Sequence, residues 1–460
     1  MFSRWAQLLV VTLLATCAVI AQQDGSSVGT QQVSGAARIS RGSSGTLSFE
    51  QAIQLALENN LSTLLARERR NEARGEKQQA LSALLPQASG AAYQANTTEN
   101  LVALGFQPGL FPGLSTTLIG PFRNFDARVR LSQTVFDLSA IQNYRAGRAS
   151  VRVAELREAL AREQVVSTTG LIYIEALRAE RSVAAAQANV ELAQALLKLA
   201  QDQRNAGIAT GVDVTRAQTR LAEQQVSLAR AQTASEQARL NLQRVVGVPL
   251  GSSLSLTDQL RFEEAPLPPV ETAVAQAQQD RREIQVLEER KKVSELELKA
   301  TRGEYLPSVQ VVGDYGSSGI TPSLVDIPTR SIAVQLNVPI FNGGLTRGKV
   351  TVATSRLRQS ELELSNIRND VEEDVRVAIT TLSTAAAQVR AANEGVRLAQ
   401  RELEMARDRF RAGVGDNLEV VSAQTALAQA TQEQVSALAQ HNAARLNLAA
   451  AVGRAEAFRW

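Results

Sequence analysis

One cysteine, one histidine and 4% aromatic residues are all that this chain of 460 residues contains of those types. A lone Cys17 leaves no disulfide framework. A lone His441 has neither a second histidine nor a neighbouring cysteine to complete a metal site. It reads instead as a helix-surface or seam residue. There is no glycine-rich phosphate loop and no acid/base constellation in a pocket, so an enzyme is poorly supported. Charge of one sign is missing too: 49 Lys and Arg are interspersed with 46 Asp and Glu, which gives no basic patch for nucleic acid. Beyond the N-terminal segment, no run reaches the roughly 18 apolar residues of a spanning helix.

That N-terminal segment reads as an export signal. Arg4 supplies the positive region, Leu8 to Ala15 the apolar core, and Val19-Ile20-Ala21 a small-residue cleavage site, giving a signal peptide over 1–21. The alternative is a lipoprotein signal, Leu14-Ala15-Thr16-Cys17, with acylation at Cys17. Residues 22–45 are rich in Ser, Gly and Gln and read as a flexible leader. Export without a spanning helix leaves a soluble periplasmic or secreted protein, or an outer-membrane β-barrel.

What the chain does have, it has twice. Ala206-Gly207, Ala217-Gln218-Thr219, Ala238-Arg239-Leu240-Asn241-Leu242 and Gly247 recur as Ala412-Gly413, Ala423-Gln424-Thr425, Ala444-Arg445-Leu446-Asn447-Leu448 and Gly453. The offset stays at about 206 residues, a duplicated unit rather than a solenoid period. The repeats are expected over 46–247 and 270–454, with a linker at 248–269 carrying Pro249, Pro266, Pro268 and Pro269, and a short tail at 455–460.

Each copy has the same order of elements. Ser48 with Gln51 predicts a capping box, opening one helix that runs to about Leu84 before Pro86. Residues 87–100 and 126–136 are strand candidates, and in the second Val129, Leu131 and Val135 alternate with Arg128, Arg130, Ser132 and Thr134. Ile332, Val334, Leu336 and Val338 alternate in the same way in the second copy. Proline-free stretches from Ala140 to Arg204 and from Leu345 to Arg411 predict helices on the order of 90 Å long. Heptads follow: Val214, Leu221, Leu228 and Leu242 in one return helix, and Ala423, Ala430, Ala437, Ala444 and Ala451 in the other. Four strands are too few to close a barrel in a bilayer, where barrels start at about eight, so several chains must each contribute a panel. A soluble coiled-coil scaffold would share the helices but not the duplicated strand pairs.

These pieces, in this order and duplicated, resemble the TolC-type outer-membrane factor (outer membrane efflux protein) family. The resemblance rests on Leu47-Ser48-Phe49-Glu50-Gln51-Ala52 with Asn59-Asn60, Asp280-Arg281-Arg282-Glu283, Leu306-Pro307, Val338-Pro339-Ile340-Phe341-Asn342-Gly343-Gly344, and Arg411-Ala412-Gly413. It implies a mainly α fold with a small β part. Four strands per chain would belong to a trimeric outer-membrane β-barrel continued by a coiled-coil tunnel into the periplasm. It further implies a passive exit duct of a tripartite efflux pump or type I secretion system. The implied partners are a periplasmic adaptor (membrane fusion protein), an inner-membrane transporter and outer-membrane lipid, without nucleic acid or cofactor.

Gly207 and Gly413 suit left-handed positions ending the long helices. Thr210 with Asp213, and Asp416 with Glu419, fit N-cap and N3 positions of the return helices. The resemblance makes these tips the periplasmic entrance and puts Glu419 at an acidic position of its mouth, where three copies would favour cations. The family's second acidic position is Ser422 here. Phe410 and Gly415 stand where a tyrosine and an arginine hold the family's entrance shut.

Overall fold

The structure is a computed structural model that describes residues 45–103, 105, 118–264, 266–321 and 325–460. The signal segment, Cys17, the leader up to residue 44, Phe106 and Phe111 lie outside the described residues. The first copy comprises β1 (Gly45–Leu47), α1 (Phe49–Asn59), α2 (Leu61–Ser82), β2 (Gln87–Asn100), β3 (Leu118–Phe136), α3 (Leu138–Asn205) and α4 (Gly211–Val246). β4 (Leu254–Leu256) follows, and the second copy then runs through α5 (Val270–Asp280), α6 (Arg282–Gly303), β5 (Ser308–Gly319), β6 (Val325–Asn337), α7 (Leu345–Arg411) and α8 (Asn417–Ala451). Among the described residues no helix is long and apolar enough to cross a membrane.

The capping box forms as expected: Ser48 Oγ accepts from the Gln51 amide while Gln51 Oε1 accepts from the Ser48 amide. The helix that follows is two helices, not one. Asn60 takes an extended conformation, closes α1 and caps α2 through its side chain. A tertiary contact adds to the local one, since Asn60 Nδ2 donates to the Val245 carbonyl at 3.4 Å. The second copy repeats the device with different chemistry. Arg281 breaks α5 from α6, and its guanidinium donates to the Ala451 carbonyl at 3.3 Å. Val245 and Ala451 are equivalent positions of the two repeats. The partner helix ends beside each break on a left-handed glycine, Gly247 or Gly453. At both, an added Cβ would come within about 3 Å of the break segment.

The four long strands form one antiparallel sheet in the order β2-β3-β5-β6. β3 is longer than the expected 126–136 and starts at Leu118. The two copies meet where β3 pairs with β5, with Arg130 opposite Asp314. At ~1.5 Å per residue, α3 with 68 residues and α7 with 67 are each about 100 Å long. α4 returns along α3 and α8 along α7. Val214, Ala217, Ala238 and Leu242 of one heptad seam are buried, as are Ala423, Ala437, Ala444 and Ala451 of the other.

The segment expected as a plain linker is folded. β4 pairs in parallel with β1, setting Leu47 opposite Leu256. Asp258 then accepts the free Phe49 amide at 2.7 Å. The Tyr173 hydroxyl sits between Asp258 Oδ2 at 2.7 Å and the Leu47 carbonyl at 2.9 Å. Burial, followed by the hydrogen bond to the Asp258 carboxylate, pushes this phenol far above its usual range. The last residues fold back as well: Phe458 and Trp460 lie 5.5 and 5.4 Å, ring to ring, from Phe49. One core therefore joins α1, α3, α4, α8, the linker and the tail around Phe49 and Tyr173. His441 is a buried seam residue at this level, edge-on to Phe262 of the linker at 4.9 Å. Burial and the nearby Arg445 hold its imidazole below the usual range, against the opposite pull of Glu263.

Candidate functional site: the strand panel and the hairpin tips

Successive side chains of a strand alternate between the two faces of its sheet. On one face of the panel Val129, Leu131, Tyr315, Ile332, Val334 and Leu336 stand together. Ile332 is 81% and Val334 72% exposed in the protomer, which no water-soluble sheet tolerates in a row. The apolar surface continues past β6 through Ile340 and Phe341, which are 94% and 88% exposed. β6, with 13 residues rising ~3.3 Å each, is about 40 Å long, enough to cross the roughly 30 Å of a bilayer core.

The opposite face is polar. The Arg128 guanidinium pairs with the Asp126 carboxylate on its own strand and with Asp314 of β5 at 2.9 Å. Ser331 of β6 donates to the second Asp314 oxygen at 2.6 Å. Three strands are thus tied by one charged network on the face away from the apolar band. Gly316 makes room for it, since a Cβ there would lie 2.4 Å from that of Arg128. Arg128 is accordingly a network residue. Arg123, near the far end of β3, is exposed opposite Asn96. Phe122 is exposed and Phe125 half-buried. β2 and β6 are the two edges of the sheet. An edge in a bilayer leaves backbone groups without partners, so each edge calls for another strand.

The tips lie at the other end of the long helices. Gly207 and Gly413 have φ of 77° and 72°. After each, two backbone bonds close a Schellman turn: Gly207 to Arg204 and Ile208 to Gln203, then Gly413 to Phe410 and Val414 to Arg409. Thr210 and Asp213 form the expected capping box, and the Thr210 hydroxyl at 2.6 Å holds the Asp213 carboxyl below its usual range. Asp416 caps α8 through the Leu418 amide. Glu419 departs from the N3 role expected for it: its carboxylate turns to Arg409 at 3.4 Å, with both groups about half exposed. Phe410 is a core residue, packed with Leu196, Leu403 and Val420.

Two tip residues had no sequence signal. Asn417, 4% exposed, donates from Nδ2 to the Asp213 carbonyl at 2.8 Å and so joins the two hairpins of one chain. Gln203 reaches from the first hairpin to the Arg411 carbonyl of the second at 3.4 Å. Among the described residues no group of His, Cys, Asp and Glu is placed to hold a metal ion.

Gly413→Val is expected to cost about 1–2 kcal/mol, because the left-handed conformation brings Cβ against the following carbonyl. The space itself is open, with only Ile208 at 3.5 Å. A lower thermal midpoint for Gly413→Val, and recovery of most of it by Gly413→Asn, would confirm that the backbone is the cause. An unchanged midpoint would refute the turn assignment.

A family model described as "Outer membrane efflux protein" matches residues 52–248 and 273–454. The alkaline protease secretion protein AprF of Pseudomonas aeruginosa is 28% identical over 69% of this chain and 68% of its own length. Protein CyaE of Bordetella pertussis is 26% identical over 72% of this chain and 71% of its own length. In fold, the chain is similar to the crystal structure of the Campylobacter jejuni CmeC outer membrane channel. The TM-score is 0.78 at 18% identity, covering 88% of this chain and 86% of that one.

Proposed function

The chain belongs to the outer membrane efflux protein family, and from that premise we propose that three copies close a single barrel and a single tunnel. It is an outer-membrane channel component that extends into the periplasm and serves an efflux or secretion system. Three panels of four strands give twelve, above the roughly eight at which barrels begin, with β6 of each chain pairing to β2 of the next. The helix hairpins of the three chains continue the barrel as a tube.

The observation that carries this reading is the strand panel: four antiparallel strands, one exposed apolar face, one charged face, two open edges. A soluble coiled-coil scaffold has no use for Ile332 and Val334 in water. The work is passive conduction, with no bond made or broken. A periplasmic adaptor docks at the tips, and an inner-membrane transporter supplies energy and selects cargo. Docking loosens the hairpins and shifts the entrance toward its open state. The test is the native mass of the protein extracted in detergent from the outer-membrane fraction. A trimer of about 140–150 kDa is expected, three times the 49.5 kDa chain with or without its signal segment. A monomer confined to the soluble fraction would refute the duct.

At the entrance, three Glu419 carboxylates surround the axis, each tethered to an Arg409. Glu419→Ala removes three negative charges and leaves three arginines, so the channel should lose cation preference or reverse it. The reversal potential across a salt gradient in a planar bilayer reads this directly. Unchanged selectivity would leave Glu419 as a local partner of Arg409 and nothing more.

A further inference from the structure

The charges of the long helices are unevenly placed. The first seventeen residues of α3, 138–154, carry Arg145, Arg148 and Arg152 and no carboxylate. The first sixteen of α7, 345–360, carry Arg347, Lys349, Arg356 and Arg358, again with none. Both copies share this bias although the chain as a whole has nearly equal numbers of the two signs. Helix dipoles work against it, since a first turn favours acids and Arg347 sits in the first turn of α7.

The two carboxylates next to the strand–helix junctions are engaged. Asp137 caps α3 through the Ala140 amide, and Glu304 holds Lys349 at 2.8 Å. Arg145, Arg148, Arg302 and Arg347 are exposed, and among the described residues none has a carboxylate within ion-pair range. Counted along their helices at ~1.5 Å per residue, Arg302 and Arg347 lie within about 5 Å of the junction, Arg145 about 10 Å and Arg148 about 15 Å. The junction itself carries exposed Phe136, Tyr305, Leu306, Ile340 and Phe341, the periplasmic end of the apolar band. Unpaired cations directly below such an end stand near headgroup depth, Arg302 and Arg347 within a Debye length of about 8 Å, Arg145 just beyond it and Arg148 at nearly twice that distance.

We propose that Arg145, Arg148, Arg302 and Arg347 form a basic collar that binds the anionic headgroups of phospholipids in the periplasmic leaflet. The inference rests on the outer-membrane reading and extends it to a lipid class. Guanidinium groups pair with phosphate in two-point fashion, which a zwitterionic headgroup, with its own ammonium competing, satisfies less well. The collar fixes the height of the barrel and resists tilting, so that the tube stays upright for its periplasmic partners.

The test uses the full-length protein in mixed micelles holding equal phosphatidylglycerol and phosphatidylcholine, with retained lipids counted by native mass spectrometry. The wild type should retain phosphatidylglycerol preferentially. Each charge replaced should reduce that preference about fivefold, so that Arg302→Gln with Arg347→Gln lowers it about 25-fold while trimer mass and conductance persist. The same preference in wild type and in the variant carrying all four changes would overturn the proposal. A variant with altered ion selectivity but unaltered lipid retention would overturn it too, placing the arginines in the tunnel. A monomer that never inserts would sink the channel reading and the collar together, whereas an inserted trimer indifferent to phosphatidylglycerol would sink the collar alone.

Discussion

Phe49→Ala is expected to destabilise the chain by about 3–5 kcal/mol, the range for truncating a fully enclosed aromatic ring. Phe49 is fully buried, and α3 and the tail converge on its ring. Tyr173 of α3 meets it edge-on at 5.7 Å, Phe458 and Trp460 of the tail cover it, and Gly170 presses its backbone to the ring. The cavity left by alanine could not refill by a small shift, because α3 is held on its other sides by α4, α6 and α8. Two further effects follow from position. Phe49 opens α1, and its amide is the one that Asp258 accepts, so a loosened ring also loosens the linker. Phe49→Leu, which keeps most of the volume, should cost clearly less than alanine. The thermal midpoint of the purified trimer and the fraction surviving as trimer on heating are the measurements. An Ala variant melting within a degree of wild type would show that the tail and linker merely lie on this core without depending on it.

Much of this architecture is written in local patterns, and that determines what could be read beforehand. Ser48 with Gln51, Thr210 with Asp213, and the glycines 207 and 413 act within four residues, so their roles are visible in a short stretch of sequence. Alternation along 126–136 and 331–338 is equally local, and it led to a panel too small to close alone. The break at Asn60 was not legible in the same way. Asparagine is only mildly unfavourable inside a helix, and the partner that rewards the break, the Val245 carbonyl, lies 185 residues away. β1 and β4 are three residues each, below any periodic signal, and they pair across the entire first copy. The tail, Ala455 to Trp460, is too short to carry a periodic signal. Only the pocket formed by Phe49 and Tyr173 makes it part of the core. Glu419 shows a further limit: the spacing from Asp416 fits a capping box, yet Arg409 on the preceding helix offers a full charge instead.

The largest functional effect is expected from Asn417→Ala. The Asn417 side chain is buried between the hairpins, and its amide satisfies the Asp213 carbonyl at 2.8 Å. Within α4 the same carbonyl also accepts the backbone amide four residues on, so removal deletes one hydrogen bond, worth about 0.5–1.5 kcal/mol, from the arrangement in which the hairpins touch. On the proposed reading that arrangement is the closed tip. Once the hairpins part, the bond is gone in wild type and variant alike, so the substitution acts on the difference between the two states. About 1.4 kcal/mol is a factor of ten in an equilibrium, and three chains contribute to one entrance. Asn417 is the first residue of α8, where alanine is an acceptable helix former, and the cap on Asp416 is untouched. The change therefore tests the cross-hairpin bond rather than the helix. Gln203→Ala, which breaks the longer 3.4 Å contact at the more exposed edge, should act in the same direction and more weakly. In planar bilayers the Asn417→Ala channel should spend at least tenfold more time open than wild type at equal voltage, with an unchanged thermal midpoint of the barrel. A wild-type open fraction would mean that Phe410, Val420 and their neighbours hold the tips closed through packing, with the amide contributing only orientation.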